Sequence, residues 1–432
     1  MKITDFNSIL GDSSSEEAHT PTNLNGRELQ ELLNPISCEE FVNSYFARAS
    51  LNLEGHPQKF DHIFSWEKLK QALARGQHIA DGRYNITASF TAGEDSSNTR
   101  RMMQANHNQV IELLNAGATI CITNIHMADP SLAQWAQAIR TQLNFTGTVG
   151  VNCYVSPDGS GLPMHYDKRV ATTLQIAGKK RWKFSVEPAK VWPNSNEVFQ
   201  EGETGDDVGK LPADMEFREV VLNPGDLLCL PAGAWHSARG MGFSLALNLY
   251  FAPRNLFDQF IPLLQNFATS NEYWRGGPPA TLGKIQGKMP QTVSEYMRER
   301  LDEFHKMALE VIDSPDALTE SWLTSLTQAP STGWQPVPML PIPEVTTEQR
   351  FRVELSSLRF VKFQDKLIVP CDNGLLRFPA VLEPVLKRLS TELSSFTIPE
   401  VLTWQEKPES CSTNEMMSYL KILYQNGILK RV

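Results

Sequence analysis

At 432 residues the chain exceeds what one hydrophobic core usually organises, about 250–300 residues, so at least two domains are expected. Apolar and charged fractions of 41% and 21% are ordinary for a water-soluble globular protein, and no apolar run approaches the roughly 20 residues that span a bilayer, which argues against a membrane role. A net charge of −9 argues against the whole chain binding nucleic acid, and six scattered cysteines without a CxxC pair point to free thiols in a reducing, cytoplasmic setting.

Residues 1–25 are polar, and GDSSSEEAHTPTN reads as a disordered leader rather than a signal peptide. From Gly26 to Ala74 apolar residues recur three and four apart, in GRELQELLN and SCEEFVNSYFARAS, which predicts packing helices with Ser37 as an N-cap and Glu40 three residues on. DGRYNITASFTAGE reads as strand and turn. NHNQVIELLNAGATICITNI predicts a helix ended near Gly117 and then a buried strand, and SLAQWAQAIRTQLN a further amphipathic helix.

From Gly147 to Pro253 short strands alternate with Gly, Pro and Asp turns: TVGVNCYVSP, ATTLQIAG, KKRWKFSVEP, FREVVLNPGD, LLCLPAG and FSLALNLYF. That spacing predicts a mainly β core, a double-sheet barrel or jelly roll of the cupin kind, within a 26–253 domain that includes the N-terminal helices. Inside it, NSNEVFQEGETGDDVGKLPAD is an acidic, turn-rich insertion, read first as a solvated loop and second as part of a substrate entrance. Helical periodicity returns over 254–328, where Val293, Met297, Leu301, Phe304 and Ala308 form a stripe that must pack on something. Proline-rich 329–344 reads as a linker, and 345–432, with strands, two helical stretches and a short terminal strand, as a winged-helix-like domain.

The candidate chemistry begins at HYD, His165 to Asp167. A metal that activates dioxygen needs few protein ligands, because cosubstrate and oxygen must occupy the rest; two His and one carboxylate suit non-haem Fe(II). Along a strand, residues i and i+2 share a face, so His165 and Asp167 point one way and Tyr166 the other. PGDLLCLPAGAWH supplies a third ligand, His236, after a turn, a buried strand and a second turn. An isolated HxD is more often a hydrogen-bonded pair than a metal site. Its combination with a His across a β-rich stretch, both beside Gly/Pro turns, favours the metal. In GKKRWKF, alternation sets Lys180, Trp182 and Phe184 on one face, where burial of the aromatics carries Lys180 inward to meet the distant carboxylate of 2-oxoglutarate. A basic run at a turn is ordinarily solvated, so spacing alone leaves Lys180 open.

GLPMHYDKRVATTLQIAGKKRWKFS and LNPGDLLCLPAGAWHSA resemble the JmjC-type cupin oxygenases, in particular the branch that hydroxylates ribosomal-protein side chains. The resemblance implies Fe(II) held by His165, Asp167 and His236, with 2-oxoglutarate and O2 as cosubstrates and Lys180 as the cosubstrate's cation. It implies that Asn152 and Tyr154, in NCYVSPDGSGLP, lie in or near the cosubstrate pocket. It sets Asn248, in LALNLYF, about where the family tends to have a Ser or Thr facing the cosubstrate. It further implies decarboxylation of 2-oxoglutarate to succinate coupled to C–H hydroxylation, a homodimer formed by the middle helices, and a C-terminal winged helix.

Three functions stay open at this point: a side-chain hydroxylase acting on a protein substrate, basic by complementarity to this acidic chain; the same chemistry on a precursor peptide or free amino acid; and a non-catalytic winged-helix binding module. Residues 351–432 carry 11 Lys/Arg against 9 Asp/Glu, too even a balance for a strong nucleic-acid face, and Met416, Met417, Leu420 and Leu423 read as core rather than a recognition helix. The intact ligand set favours catalysis.

Overall fold

The computed structural model of the chain describes residues 26–91, 100–200 and 208–255, with parts of 202–204, 257–326 and 346–432. The expected leader, 1–25, and linker, 329–344, lie outside the described residues. Two compact units are distinguished, divided at Pro253/Arg254.

The first unit is built on eleven strands: β1 (Leu51–Leu53), β2 (Asn85–Thr91), β3 (Arg100–Ala105), β4 (Thr119–Thr123), β5 (Thr148–Ser156), β6 (Gly161–Tyr166), β7 (Val170–Ser185), β8 (Glu197–Val198), β9 (Phe217–Leu222), β10 (Leu227–Leu230) and β11 (His236–Ala252). β7 and β11, at 16 and 17 residues, are long enough to serve two sheets. The first half of β7 and the second half of β11 lie between β10 and β5, in the order β1-β10-β7-β11-β5-β4-β2-β3. Their other halves pair with β9 and β6, with β8 beyond β6. The result is the expected jelly roll with flanking helices.

ATTLQIAG and KKRWKFSVEP, expected as separate strands, form one bent strand. The ladder between β7 and β11 shifts register between Met241 and Ala246 but does not end. Gly178 sits at the bend with φ +65°, where a Cβ would lie 1.9 Å from the Phe243 carbonyl oxygen, so only glycine fits. Gln175 Nε2 secures the bend, donating to the carbonyls of Ala177 (2.9 Å) and Gly178 (3.2 Å) and to Ser244 Oγ (3.0 Å).

Helices cover the outer face of the larger sheet. Ser65 caps the helix Trp66–Gly76 by accepting from Lys68 N, and Asp129 caps Pro130–Gln142 by accepting from Leu132 N, with Pro130 at the first helical position. Ser37 likewise accepts from Glu40 N, but the expected helix beyond it is short: Cys38–Glu40 passes into a π-helical turn, Phe41–Tyr45, and Ala47 at φ +59° ends it. Leu33, Phe41, Leu69, Trp135 and Ile139 pack against Val149, Val151, Leu247, Leu249 and Phe251 in one core. At about 1.5–3 kcal/mol per buried large apolar side chain, these helices are integral to the unit.

The PGD turn that leads into β10 is a fastening. Gly225 adopts φ +93°, and buried Asp226 accepts from Gly55 N (2.9 Å) and Asn223 N (2.8 Å), tying the turn to the N-terminal segment. The described part of the acidic insertion is also anchored: Val208 packs with Tyr166, Ala189 and Trp235, and Trp235 Nε1 donates to the Lys210 carbonyl at 2.8 Å.

In the second unit, β12 (Phe351–Val353) pairs with β16 (Leu429–Arg431), and β13 (Val361–Phe363), β14 (Lys366–Cys371) and β15 (Gly374–Pro379) form a meander. The helix Thr413–Gln425 opens with a Ser412/Glu415 capping box and buries Met416, Leu420 and Leu423 among Phe351, Leu386 and Ile398. Its apolar face is therefore core. On the helix Gln291–Ile312 the expected stripe is partly solvent-facing, with Met297 and Leu301 42% and 61% exposed.

Asp226→Ala would remove a buried acceptor from two partly buried backbone donors and should lower stability by about 1–3 kcal/mol, read as a lower urea midpoint; an unchanged midpoint would show the turn to be held by other contacts.

Candidate metal centre

His165 ends the inward-facing run of β6, and Asp167 follows one residue past the strand. His236 opens β11 and is paired in register with both His165 and Phe184. The ligand atoms of His165, Asp167 and His236 all lie within 4.8 Å of one another. Each imidazole is oriented in the same way: Nδ1 of His165 meets the Pro163 carbonyl at 2.7 Å, and Nδ1 of His236 the Ala234 carbonyl at 2.8 Å. A carbonyl only accepts, so Nδ1 carries the proton and Nε2 keeps its lone pair for a cation. Burial lowers the pKa of His236, opposed by Asp167 and the Ala234 carbonyl, which favours the neutral ligand form. The ring centroids stand 4.1 Å apart, an approach that two neutral imidazoles tolerate and two cations would not. Tyr166 points away, packing on Trp235 at 4.5 Å between centroids. The donor set and its geometry fit a divalent transition metal with open positions.

Lys180 is 4% exposed and lines the same pocket as the three ligands. Alternation works as expected here: Trp182 and Phe184 are buried on its face, while Arg181 and Lys183 are exposed. Its Nζ lies 5.8 Å from the Tyr154 ring centroid, and no carboxylate among the described residues pairs with it. Desolvation lowers its pKa to about 8.

Two further buried groups lining this pocket, Trp182 Nε1 and Asn248 Oδ1, have no hydrogen-bond partner among the described residues. Tyr154 also lines the pocket; burial holds its hydroxyl well above the usual phenol range. Asn152 is buried next to Asn248 in register, but its Oδ1 accepts from Asn124 N at 3.0 Å, and it is not among the residues that line the pocket. Sequence reasoning missed Thr119 and Thr173, which complete the polar wall. Thr173 and Lys180 are an odd number of residues apart on β7, so strict alternation separates them, and the bulge at Gly178 is what returns both to one side.

A jelly roll with two imidazoles and a carboxylate at its open end is the architecture of the cupin oxygenases, and residues 126–257 match the JmjC domain family. Residues 126–257 thus match the family that the motifs suggested. Among known proteins it is 22% identical over 263 residues to the uncharacterised YxbC of Bacillus subtilis (strain 168), covering 57% of this chain and 77% of that one. It is 25% identical over 249 residues to the bifunctional lysine-specific demethylase and histidyl-hydroxylase NO66 of Drosophila yakuba, covering 55% of this chain and 35% of that protein. It is 27% identical over 273 residues to ribosomal oxygenase 1 of Gallus gallus, covering 58% and 42%. The chain thus spans less than half the length of these two named oxygenases. The solved structure of the Escherichia coli ribosomal oxygenase YcfD with cobalt and 2-oxoglutarate has the same fold, with a TM-score of 0.54 at 15% identity over 92% of this chain and 98% of that one.

His165→Ala and Asp167→Ala should each abolish stoichiometric Co(II) binding while leaving the far-ultraviolet circular dichroism unchanged. Retained stoichiometric metal in either variant would remove that residue from the centre.

Proposed function

We propose that the chain is an Fe(II)- and 2-oxoglutarate-dependent dioxygenase that hydroxylates a side chain of a protein substrate. The observation that carries this reading is Lys180: a buried cation with no carboxylate partner among the described residues, in the pocket that holds the His165, Asp167 and His236 triad. Burying a charge alone is costly, and a bound dicarboxylate would offset that cost. The relatives named for histidyl-hydroxylase and ribosomal-oxygenase activity, and the YcfD complex with 2-oxoglutarate, support the same reading.

When bound, Fe(II) with 2-oxoglutarate and O2 supplies the oxidising power for an unactivated C–H bond. The protein residues have simpler tasks. His165 and His236 present neutral Nε2 atoms, and Asp167 supplies the single negative charge. Lys180, deeper in the barrel than the triad, neutralises the distal carboxylate of the cosubstrate. Trp182 Nε1 and Asn248 Oδ1 offer a donor and an acceptor on the way, and Leu162, Ala238 and Ala246 line the remainder with apolar surface that excludes water.

The reading includes a homodimer formed by 254–328, where exposed Leu301, Met297 and Leu309 on Gln291–Ile312 are suited to meeting a second copy, and a winged-helix-like C-terminal domain. It also includes a cytoplasmic location, which accords with the free cysteines and with the absence, among the described residues, of any helix long and apolar enough to cross a membrane.

The direct test is reconstitution with Fe(II) and 2-oxoglutarate, admission of O2, and detection of succinate with and without a ribosomal-protein extract. Succinate together with one protein heavier by an oxygen atom supports the proposal; succinate with no altered protein moves the substrate to peptides or small molecules; no succinate and no bound iron overturns it. A second test uses charge. Lys180 has a pKa lowered to about 8, so its cation is present below that pH and is lost as pH rises through it. The affinity of the Co(II)-loaded protein for 2-oxoglutarate, measured by calorimetry, should fall about tenfold between pH 7 and pH 9. Lys180→Met should be weak at both pH values; wild-type affinity in that variant would assign the cation elsewhere.

A further inference from the structure

The segment that follows Asp167 has a feature that the oxygenase reading leaves unused. On β11, Ala246 and Asn248 line the pocket, and Tyr250, two residues nearer the open end, lies on the same inner face. Its cross-strand neighbour is Gly150, where a Cβ would meet Tyr250 Oη at 2.4 Å; the ring occupies the space that a side chain there would take. Tyr250 Oη donates to Asn124 Oδ1 at 2.6 Å, and Asn124, held at φ +55°, is fixed in turn by Asn152 Oδ1. On this immobilised ring lies Arg169, its Cζ 3.8 Å from the centroid.

Arg169 is two residues from Asp167, and both stand within electrostatic reach of Tyr154 in the pocket wall. It is half-buried, and no carboxylate among the described residues pairs with it. Arg83, the other cation near Tyr250, is engaged by Asp81 at 2.6 Å, and Lys168 is exposed beside Arg169. An arginine stacked on an aromatic ring is common packing. Here the stack stands just beyond the residues that line the pocket, two residues from Asp167; the guanidinium hydrogen-bonds Tyr250, and as a planar fork it has further donors than that bond uses.

We propose that Arg169 is a specificity-determining residue that binds a carboxylate of the prime substrate, so that the segment presented to the metal is an acidic peptide, with an Asp or Glu close to the oxidised residue. The overall charge of −9 favours basic partners for the surface at large; Arg169, with the exposed Lys168 beside it, favours the opposite sign at this one position. The proposal rests on the oxygenase reading, and the two are separable by experiment.

Three pools of short peptides, alike except for a central Glu, Gln or Lys, are passed over immobilised full-length protein, both metal-free and loaded with Co(II) and 2-oxoglutarate. Wild type should retain the Glu pool about tenfold over the Lys pool, the size of one charge-assisted contact. Arg169→Glu should reverse the order, and Arg169→Lys, which keeps the charge but loses the flat stack, should preserve the order with a smaller ratio. The same ranking in wild type and Arg169→Glu, equal retention of all pools, or a wild-type preference for Lys overturns the proposal. So does a tenfold loss of 2-oxoglutarate affinity in Arg169→Glu with the ranking unmoved, which would assign the residue to the cosubstrate. Failure of wild type to bind cobalt and 2-oxoglutarate would instead remove the oxygenase reading, while the pool ranking on metal-free protein still reports on Arg169. Arg169→Lys, with a melting temperature matching wild type, guards against misfolding as the cause.

Discussion

The site depends on one cross-strand register. His236 is opposite His165 on one side and Phe184 on the other, so a single residue of β11 fixes the distance between two ligands and ties both to the strand that carries Lys180. Side chains alternate with period two, and a slip of one residue would turn His236 out of the barrel and Ser237 into it. The register is held by side chains remote from the chemistry: Gln175 across the bend, Gly178 at its apex, and Asp226 fastening the adjoining turn. The sequence around the ligands, with its Gln, Gly and PGD, is therefore a description of how the ladder is pinned.

Within that frame the barrel wall is graded in polarity. The outer face of the larger sheet is apolar and sealed by helices, which leaves the inner face free to carry groups that no core would accept alone. Lys180, Trp182 Nε1 and Asn248 Oδ1 are each costly when unsatisfied, and a fold retains such a set where a ligand repays it. Lys180, Trp182 and Asn248 share one cavity, while the apolar gain is distributed over the helices and both sheets.

Much of this was legible in the sequence. Short strands evenly spaced between turn residues predicted the jelly roll, HYD and His236 on either side of a β-rich stretch predicted the ligand set, and alternation alone set Lys180 with Trp182 and Phe184. Two kinds of detail were not legible. The continuity of β7 through Gly178 was hidden because a glycine after the short run LQIA reads equally as a turn between strands; the ladder to β11 and the hydrogen bonds of Gln175 decide it. The same bulge changes the parity of the strand, so Thr173 was invisible as a neighbour of Lys180. Asn152 illustrates the other limit: expected in or near the pocket, it lies beside the pocket-lining Asn248, but its oxygen accepts from the Asn124 turn, a partner that residue type and face do not reveal. Residue type and face are local properties, and the partner that claims a hydrogen bond is not.

Strands shared by two sheets have a consequence for how the unit opens. A sandwich of independent sheets is able to fray one layer at a time, but β7 and β11 contribute hydrogen bonds to both layers here, and neither layer has an edge at that junction. Amide protons along β11 are therefore protected by the same cooperative transition in both sheets, and slow exchange at Leu247 and at Ser237 reports a single event. His236 and Asn248 ride on this one strand, so the metal centre and the deep pocket are gained and lost together, with no partly open form that keeps one without the other.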